Sequence, residues 1–214
     1  MSLTAKLQET KTAFSKQVPA DVQVIMTNAL DKLTEEGLPK TATQKGDTLK
    51  NGTLINIKKE KVDIFSFLDK GPLVISFYRG GWCPYCNIEL NALQQALPEI
   101  KELGAQLIAI TPETPDNSLT TAEKNNISFP VLSDINNTYA KELGLVFQMP
   151  KDLQEVYHQF GIDVSKHNEN EDYELPLPAT YVVDKSGKIV LSFLQEDYVE
   201  RLDPNQVIKA LKSL

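Results

Sequence analysis

The spacing of apolar residues predicts two helices at the N-terminus, followed by helices that alternate with short strands. Apolar side chains recur at helical intervals over residues 3–17 and again over residues 19–36. Gly37 is placed to end the second helix. We expect residues 1–45 to form a helical extension that either packs on the main domain or makes a dimer contact.

Beyond residue 45, apolar runs with the period of a strand alternate with runs that have the period of a helix. The predicted elements are strands at 53–57, 73–78, 106–110 and 130–132, a turn of helix at 62–68, helices at 84–103, 115–125, 135–143, 150–160 and 204–211, and a hairpin of 180–184 with 188–194. Pro98 is expected to kink or break the longest helix, and residues 167–174 are the expected mobile loop. This alternation predicts an α/β domain over residues 46–214, with a sheet covered by helices on both faces.

Composition narrows the class of protein. The 214 residues are 41% hydrophobic and 24% charged, which is ordinary for a soluble globular chain. A net charge of −7 with only two arginines argues against nucleic-acid binding. The longest uncharged runs are too short to span a bilayer, and the first residues lack the apolar core of a secretory signal. We therefore expect a cytoplasmic protein with no membrane partner, and the scarcity of cysteine agrees with a reducing compartment.

Both cysteines of the chain lie three residues apart, where a predicted strand turns into a predicted helix. The turn is Gly80-Gly81, and the tetrapeptide is Cys83-Pro84-Tyr85-Cys86. A Cys-x-x-Cys that follows a strand and begins a helix is typical of a redox dithiol in a thioredoxin-like βαβ unit. Thiols at positions i and i+3 share one helix face, and a helix N-terminus lowers the pKa of a thiol. Thiol redox chemistry is therefore predicted, and it requires no cofactor.

Two other interpretations of the cysteine pair are less favourable. Structural zinc usually needs four Cys or His ligands in paired spacing, whereas the two histidines, His158 and His167, lie far downstream and nine residues apart. A purely structural disulfide would close a ring of four residues and remove little entropy from the unfolded chain.

Some side chains near the pair are candidates for a supporting role. Arg79 is the only arginine near the cysteines in sequence, and its guanidinium suits an oxygen leaving group; a solvated turn residue or a partner of Glu89 is the alternative. Glu89 could relay protons or cap the helix. Tyr78 and Tyr85 are expected in the core, and His158 is expected to be structural.

Three segments carry a resemblance to a known family. Ser76 to Leu93 (SFYRGGWCPYCNIELNAL), Ser128 to Asp134 (SFPVLSD) and Leu175 to Lys188 (LPLPATYVVDKSGK) resemble the peroxiredoxin-like proteins of the alkyl hydroperoxide reductase/thiol-specific antioxidant superfamily. In those proteins the paired cysteines replace the usual peroxiredoxin loop. The resemblance implies a thioredoxin-like fold of the peroxiredoxin type, with a mixed sheet and helices on both faces.

The residues of the usual peroxiredoxin motif, P-x-x-x-T-x-x-C with a distant Arg, are only partly present. Laid on this chain, the peroxidatic position is Cys86, the hydroxyl position is Cys83 and the proline position is Arg79. The distant arginine would fall near the start of the 179–184 segment, where Pro178 stands instead. Of these four motif residues, this chain has only the cysteine, at Cys86.

Other features resemble thioredoxin more closely. Trp82 precedes the first cysteine, and Pro178 resembles the cis-proline that faces the redox pair in thioredoxin-like folds. Phe77 stands where thioredoxins carry a buried acid, so another proton acceptor is required and the sequence does not name it.

Three functions follow from these residues. The first is hydroperoxide reduction, in which Cys86 attacks, Cys83 resolves, and thioredoxin or glutathione restores the dithiol. The second is exchange with protein or small-molecule disulfides, in which the more exposed Cys83 attacks and Cys86 resolves. The third is a redox sensor without catalysis. The first is preferred, with a homodimer as a possible assembly.

Overall fold

A computed structural model describes residues 2–214 of the chain. The helices within this part are α1 (Leu3–Gln17), α2 (Ala20–Glu36), α3 (Leu38–Thr41), α4 (Phe65–Leu68), α5 (Pro84–Glu102), α6 (Pro115–Lys124), α7 (Thr138–Glu142), α8 (Lys151–Gln159), α9 (Val164–Asn168) and α10 (Pro204–Leu211). The strands are β1 (Thr53–Asn56), β2 (Lys61–Asp63), β3 (Leu73–Phe77), β4 (Gln106–Thr111), β5 (Val131–Ser133), β6 (Val146–Gln148), β7 (Glu174–Pro176), β8 (Ala179–Val183) and β9 (Ile189–Leu194). Among these described residues, no helix is both long enough and apolar enough to cross a bilayer.

The main sheet is mixed, with the strand order β2-β1-β5-β4-β3-β8-β9. The interior strand β3 runs parallel to β4 and antiparallel to β8, and all five of its side chains are buried. Val74 packs with Leu90 and Leu93 of α5 on one face, while Ile75 and Phe77 pack against the helices on the other face. Two apolar layers require cover on both sides, so the predicted α/β sheet with helices on both faces is confirmed.

The structure differs from the predicted elements where the segments are short. Residues 62–68, expected to be a single turn of helix, contain the end of β2 followed by α4. The segment 167–174, expected to be a loop, begins within α9 and ends at the first residue of β7, which pairs with β6 in a second, two-stranded sheet. The strands that the pattern missed, β2, β6 and β7, have three residues each, which is too short to show a period. The long helix α5 continues through Pro98 to Glu102.

The N-terminal helices pack onto the rest of the same chain. Leu3 and Leu7 of α1 are buried in the core that α5 shares, and Val22 of α2 is buried against α8. Gly37 ends α2 in the left-handed conformation, at a φ of 65°, as predicted. Packing on the main domain is therefore confirmed. A dimer contact and the domain boundary at residue 45 stay predictions.

Candidate active site

The cysteine pair lies at the start of α5, the longest helix, which follows strand β3 in the chain. Cys83 is the N-cap of α5, Pro84 is the first helical residue, and Cys86 lies in the first turn. Proline suits this position because the first N–H groups of a helix have no partner within it. The N-cap position places the Cys83 sulfur by the positive end of the helix dipole, which favours a thiolate.

The turn between β3 and α5 requires glycine because α6 lies against it. A Cβ atom at Gly81 would overlap the side chain of Thr121. The Gly81 N–H donates to the Glu113 carboxylate at 2.8 Å, and the other oxygen of that carboxylate lies 3.0 Å from Nδ1 of His167. Glu113 is buried, so this contact fixes the turn from behind. His167 thus belongs to the support of the turn, a role that its position in the sequence did not suggest.

Both sulfurs are fully buried, with exposed fractions of 0% for Cys83 and for Cys86. The expectation that Cys83 is the more exposed thiol is therefore wrong. Both sulfurs are buried because aromatic side chains and two arginines cover the start of α5 in the folded chain. The cysteines are free thiols, and the protonation of each one affects the pKa of the other.

Arg79 points inward and contacts the first cysteine. Its Nη2 lies 3.3 Å from the Sγ of Cys83, and its Nη1 donates to the Tyr157 hydroxyl at 2.9 Å. The guanidinium carbon also lies 4.0 Å from the centre of the Tyr198 ring and 5.2 Å from that of Trp82. These contacts contradict both a solvated turn residue and a partner of Glu89. Arg79 is the cation nearest the N-cap sulfur.

A second arginine reaches the pair from the far end of the chain. Arg201 donates from Nε to the Glu89 carboxylate at 2.6 Å, and its Nη2 lies 3.5 Å from the Sγ of Cys86. Its Nη1 donates to the backbone carbonyls of Tyr198 and Glu200. The expectation of one nearby guanidinium is therefore wrong. The only signal in the sequence was that the chain has a second arginine, and nothing local indicated its burial.

Glu89 is the partner of Arg201 rather than a cap of the first turn. Its side chain is buried, and its second oxygen lies 3.4 Å from the hydroxyl of Thr180 on β8. Burial raises the pKa of Glu89, although Arg201 opposes the shift. Glu89 is thus a buried carboxyl one helical turn beyond Cys86, held by Arg201 and Thr180.

The surroundings of the two sulfurs shift their pKa values in opposite directions. Burial alone would raise the pKa of Cys83, but a hydrogen bond from Cys86 and the charges of Arg79 and Arg201 hold that pKa well below its usual value. The pKa of Cys86 is well above its usual value, because of burial and because Cys83 takes the shared negative charge. These surroundings therefore favour loss of the first proton from Cys83, while Cys86 keeps its proton to higher pH.

Of the other residues singled out in the sequence, the aromatic ones are packed in the protein and His158 is exposed. Trp82 packs edge-to-face on Tyr157 at 5.6 Å, and Tyr85 packs likewise on Tyr198. Tyr78 is buried in the core as expected. His158 is exposed and meets the Tyr173 hydroxyl at 3.2 Å, away from the sulfurs.

Pro178 lies beside the site but is not a cis residue. It immediately precedes β8, whose first residue, Ala179, pairs with Phe77 at the end of β3. Residues 2–214 contain no cis peptide bond, so the predicted cis-proline is wrong. The chain passes in extended form from β7 into β8, and a trans bond fits this path.

Removing the positive charge of Arg79 is expected to raise the pKa of Cys83. In a Cys86→Ser background, which leaves one thiol, alkylation by iodoacetamide should rise with pH and level off above that pKa. Arg79→Met should move the midpoint upward and slow alkylation at neutral pH by about tenfold or more, since one pKa unit is about 1.4 kcal/mol. Arg79→Lys, which keeps the charge, should lie between. Superimposable profiles for all three proteins would contradict the assignment of the low pKa to Arg79.

A comparison with protein families agrees with this geometry. The sequence model of the AhpC/TSA family matches residues 45–192, which are more than half of the chain. The chain belongs to the AhpC/TSA family. The cysteine pair, Arg79 and Pro178 all lie within the matched segment, whereas α1, α2 and Arg201 lie outside it.

Individual relatives include two kinds of thiol enzyme. The chain is 28% identical to the chloroplastic peroxiredoxin Q of Sedum lineare over 170 residues, which are 79% of this chain and 78% of that protein. It is 23% identical to the thiol-disulfide oxidoreductase ResA of Bacillus thuringiensis subsp. konkukian over 159 residues, or 74% of each chain. The chain is an oxidoreductase of this superfamily.

A solved structure shows the same fold. The crystal structure of peroxidoxin BcpB from Mycobacterium tuberculosis matches with a TM-score of 0.63 at 19% identity, covering 80% of this chain and 98% of that one. The predicted thioredoxin-like fold of the peroxiredoxin type is thereby confirmed.

Proposed function

We propose that this protein reduces hydroperoxides through a cycle between the Cys83/Cys86 dithiol and its disulfide, with thioredoxin or glutathione as the reductant. The observation that carries the proposal is the guanidinium of Arg79 at 3.3 Å from the Cys83 sulfur. A cation in this position stabilises the thiolate and also binds the oxygen that leaves when the O–O bond breaks. Disulfide exchange needs the first of these effects but not the second.

The reaction proceeds in three balanced steps. The Cys83 thiolate attacks the terminal oxygen of ROOH, so the S–O bond of a sulfenic acid forms as the O–O bond breaks, and the alkoxide takes a proton from solvent and leaves as ROH. The Cys86 thiol then condenses with the Cys83 sulfenic acid, which forms the disulfide and releases water. Two equivalents of external thiol reduce this disulfide and are themselves oxidised to a disulfide.

We assign the attack to Cys83 and the resolving role to Cys86, the reverse of the roles that the peroxiredoxin spacing implies. Cys83 has the lowered pKa and contacts Arg79. Cys86 retains its proton and lies by the Arg201–Glu89 pair, deeper in the fold. A thiolate is the reactive form of cysteine, so the sulfur with the lower pKa is the better nucleophile here.

Disulfide exchange is the second candidate. The similarity to the ResA protein and the place of Pro178 beside the cysteines favour it. Against it stands the contact of Arg79 with the Cys83 sulfur, because a guanidinium that can also bind a leaving oxygen has no such task in disulfide exchange.

The test is to follow two reactions of the purified protein in parallel. Consumption of hydrogen peroxide and of an organic hydroperoxide is measured with thioredoxin or glutathione as donor, and reduction of insulin disulfides is measured under the same conditions. We expect hydroperoxide consumption well above that of free cysteine, and little insulin reduction. The opposite pattern would replace the proposal by disulfide exchange, and inactivity in both assays would leave the redox sensor.

A further inference from the structure

A cavity lies between the N-terminal extension and Arg79, the residue whose guanidinium contacts the Cys83 sulfur. It is a partly open cleft: its enclosed volume is about 40 Å³, and its empty space is about 570 Å³ when the open mouth is counted. One wall is the face of α2 that carries Met26, Ala29, Leu30 and Leu33, and Arg79 lines the cavity as well.

The Arg79 end of the cavity is polar, and one of its hydrogen-bond donors has no partner. Arg79 is only 4% exposed, and Tyr157 and Tyr198, which it contacts, line the same cavity. Within the described residues, the buried Nε of Arg79 has no hydrogen-bond partner. An unsatisfied buried donor is costly, so this N–H is available to an oxygen that enters the cavity. The same guanidinium touches the Cys83 sulfur, so such an oxygen would lie close to the thiolate.

The apolar wall comes from outside the part of the chain that the family shares. The family match begins at residue 45, and α2 ends at Glu36. Ala29, Met26 and Leu30 are half-buried and Leu33 is buried, although they belong to a helix whose opposite side faces water. Val24, on that opposite side, is 57% exposed.

We infer that α2 selects the substrate: Met26, Ala29, Leu30 and Leu33 bind the apolar body of an organic hydroperoxide whose O–O group is held by Arg79. This inference rests on the proposed hydroperoxide reduction and adds to it the residues that set specificity. An uncharged head group suits the site, because the charge of Arg79 is already balanced by the Cys83 thiolate. Hydrogen peroxide has no apolar body and gains nothing from this wall.

The test fills the cavity from α2 and compares two substrates. The ratio of kcat/KM for cumene hydroperoxide to that for hydrogen peroxide is measured for the wild type, Ala29→Phe and the milder Ala29→Leu. We expect the ratio to fall by about tenfold or more in Ala29→Phe and by less in Ala29→Leu, since the added carbons occupy the space of the apolar body. Val24→Phe adds a ring to the exposed side of the same helix and should leave the ratio unchanged.

Each other outcome contradicts a specific statement. An unchanged ratio in both Ala29 variants, or an equal change in Val24→Phe, would overturn the role of α2 while hydroperoxide reduction stood. A wild type inert towards both substrates would overturn the proposed function itself. Should Ala29→Phe lose its helical circular dichroism, the Ala29→Leu ratio decides, because three added carbon atoms are within the range that a half-buried surface tolerates.

Discussion

Replacing Cys83 by serine is expected to reduce hydroperoxide consumption to the background rate, whereas Cys86→Ser should keep one fast reaction with peroxide. The serine hydroxyl is not ionised near neutral pH, so the first variant lacks the nucleophile. In the second variant, the introduced hydroxyl still donates a hydrogen bond towards the Cys83 thiolate. Cys83 should then accumulate as a sulfenic acid, because no resolving thiol is present.

The measurement is one turnover of peroxide with stopped-flow detection, followed by trapping with dimedone and mass spectrometry of the peptide. The double variant Cys83→Ser/Cys86→Ser defines the background. A fast reaction in Cys83→Ser together with a slow one in Cys86→Ser would show that Cys86 attacks, which is the assignment that the peroxiredoxin spacing implies. The pH dependence separates the two cases further, because the rate should rise with pH only up to the lowered pKa of Cys83.

Replacing Arg201 by methionine should destabilise the fold more than any surface substitution, by about 3–5 kcal/mol in the free energy of unfolding. Arg201 and Glu89 each have a side-chain exposure of 2%, and the ion pair between them is 2.6 Å long. The substitution leaves the Glu89 carboxyl buried without its cation, and it also removes the donors to two backbone carbonyls. Urea denaturation measures the change.

Two comparison proteins make this prediction specific. Lys212→Met breaks an exposed ion pair with Glu99 and should cost less than about 1 kcal/mol. The double variant Arg201→Met/Glu89→Leu removes both charges and should recover much of the lost stability. Thiol alkylation at neutral pH should be slower in the double variant than in the wild type, because the charge of Arg201 also lowers the pKa of Cys83. Equal losses for Arg201→Met and Lys212→Met would contradict the buried pair.

The local part of the site was predictable from the sequence because it depends on neighbours along the chain. Gly80-Gly81, the tetrapeptide from Cys83 to Cys86 and the apolar period of α5 together fix a strand, a turn and a dithiol at a helix start. The same periodicity predicted α1, α2 and the order of strands and helices along the chain. Short strands such as β6 and β7 escaped, because three residues contain no measurable period.

Local spacing along the chain was therefore enough to predict an α/β domain and the position of the redox pair, and the resemblance to a known family implied the thioredoxin-like fold. Which thiol has the lower pKa depends on tertiary contacts, because Arg79 turns inward and Arg201 reaches the pair from 115 residues beyond Cys86. Tertiary contacts also bury both thiols and place α2 along the cavity that Arg79 lines. Electrostatic and steric effects act through space, and contacts between residues so far apart in the chain leave no periodic trace in it.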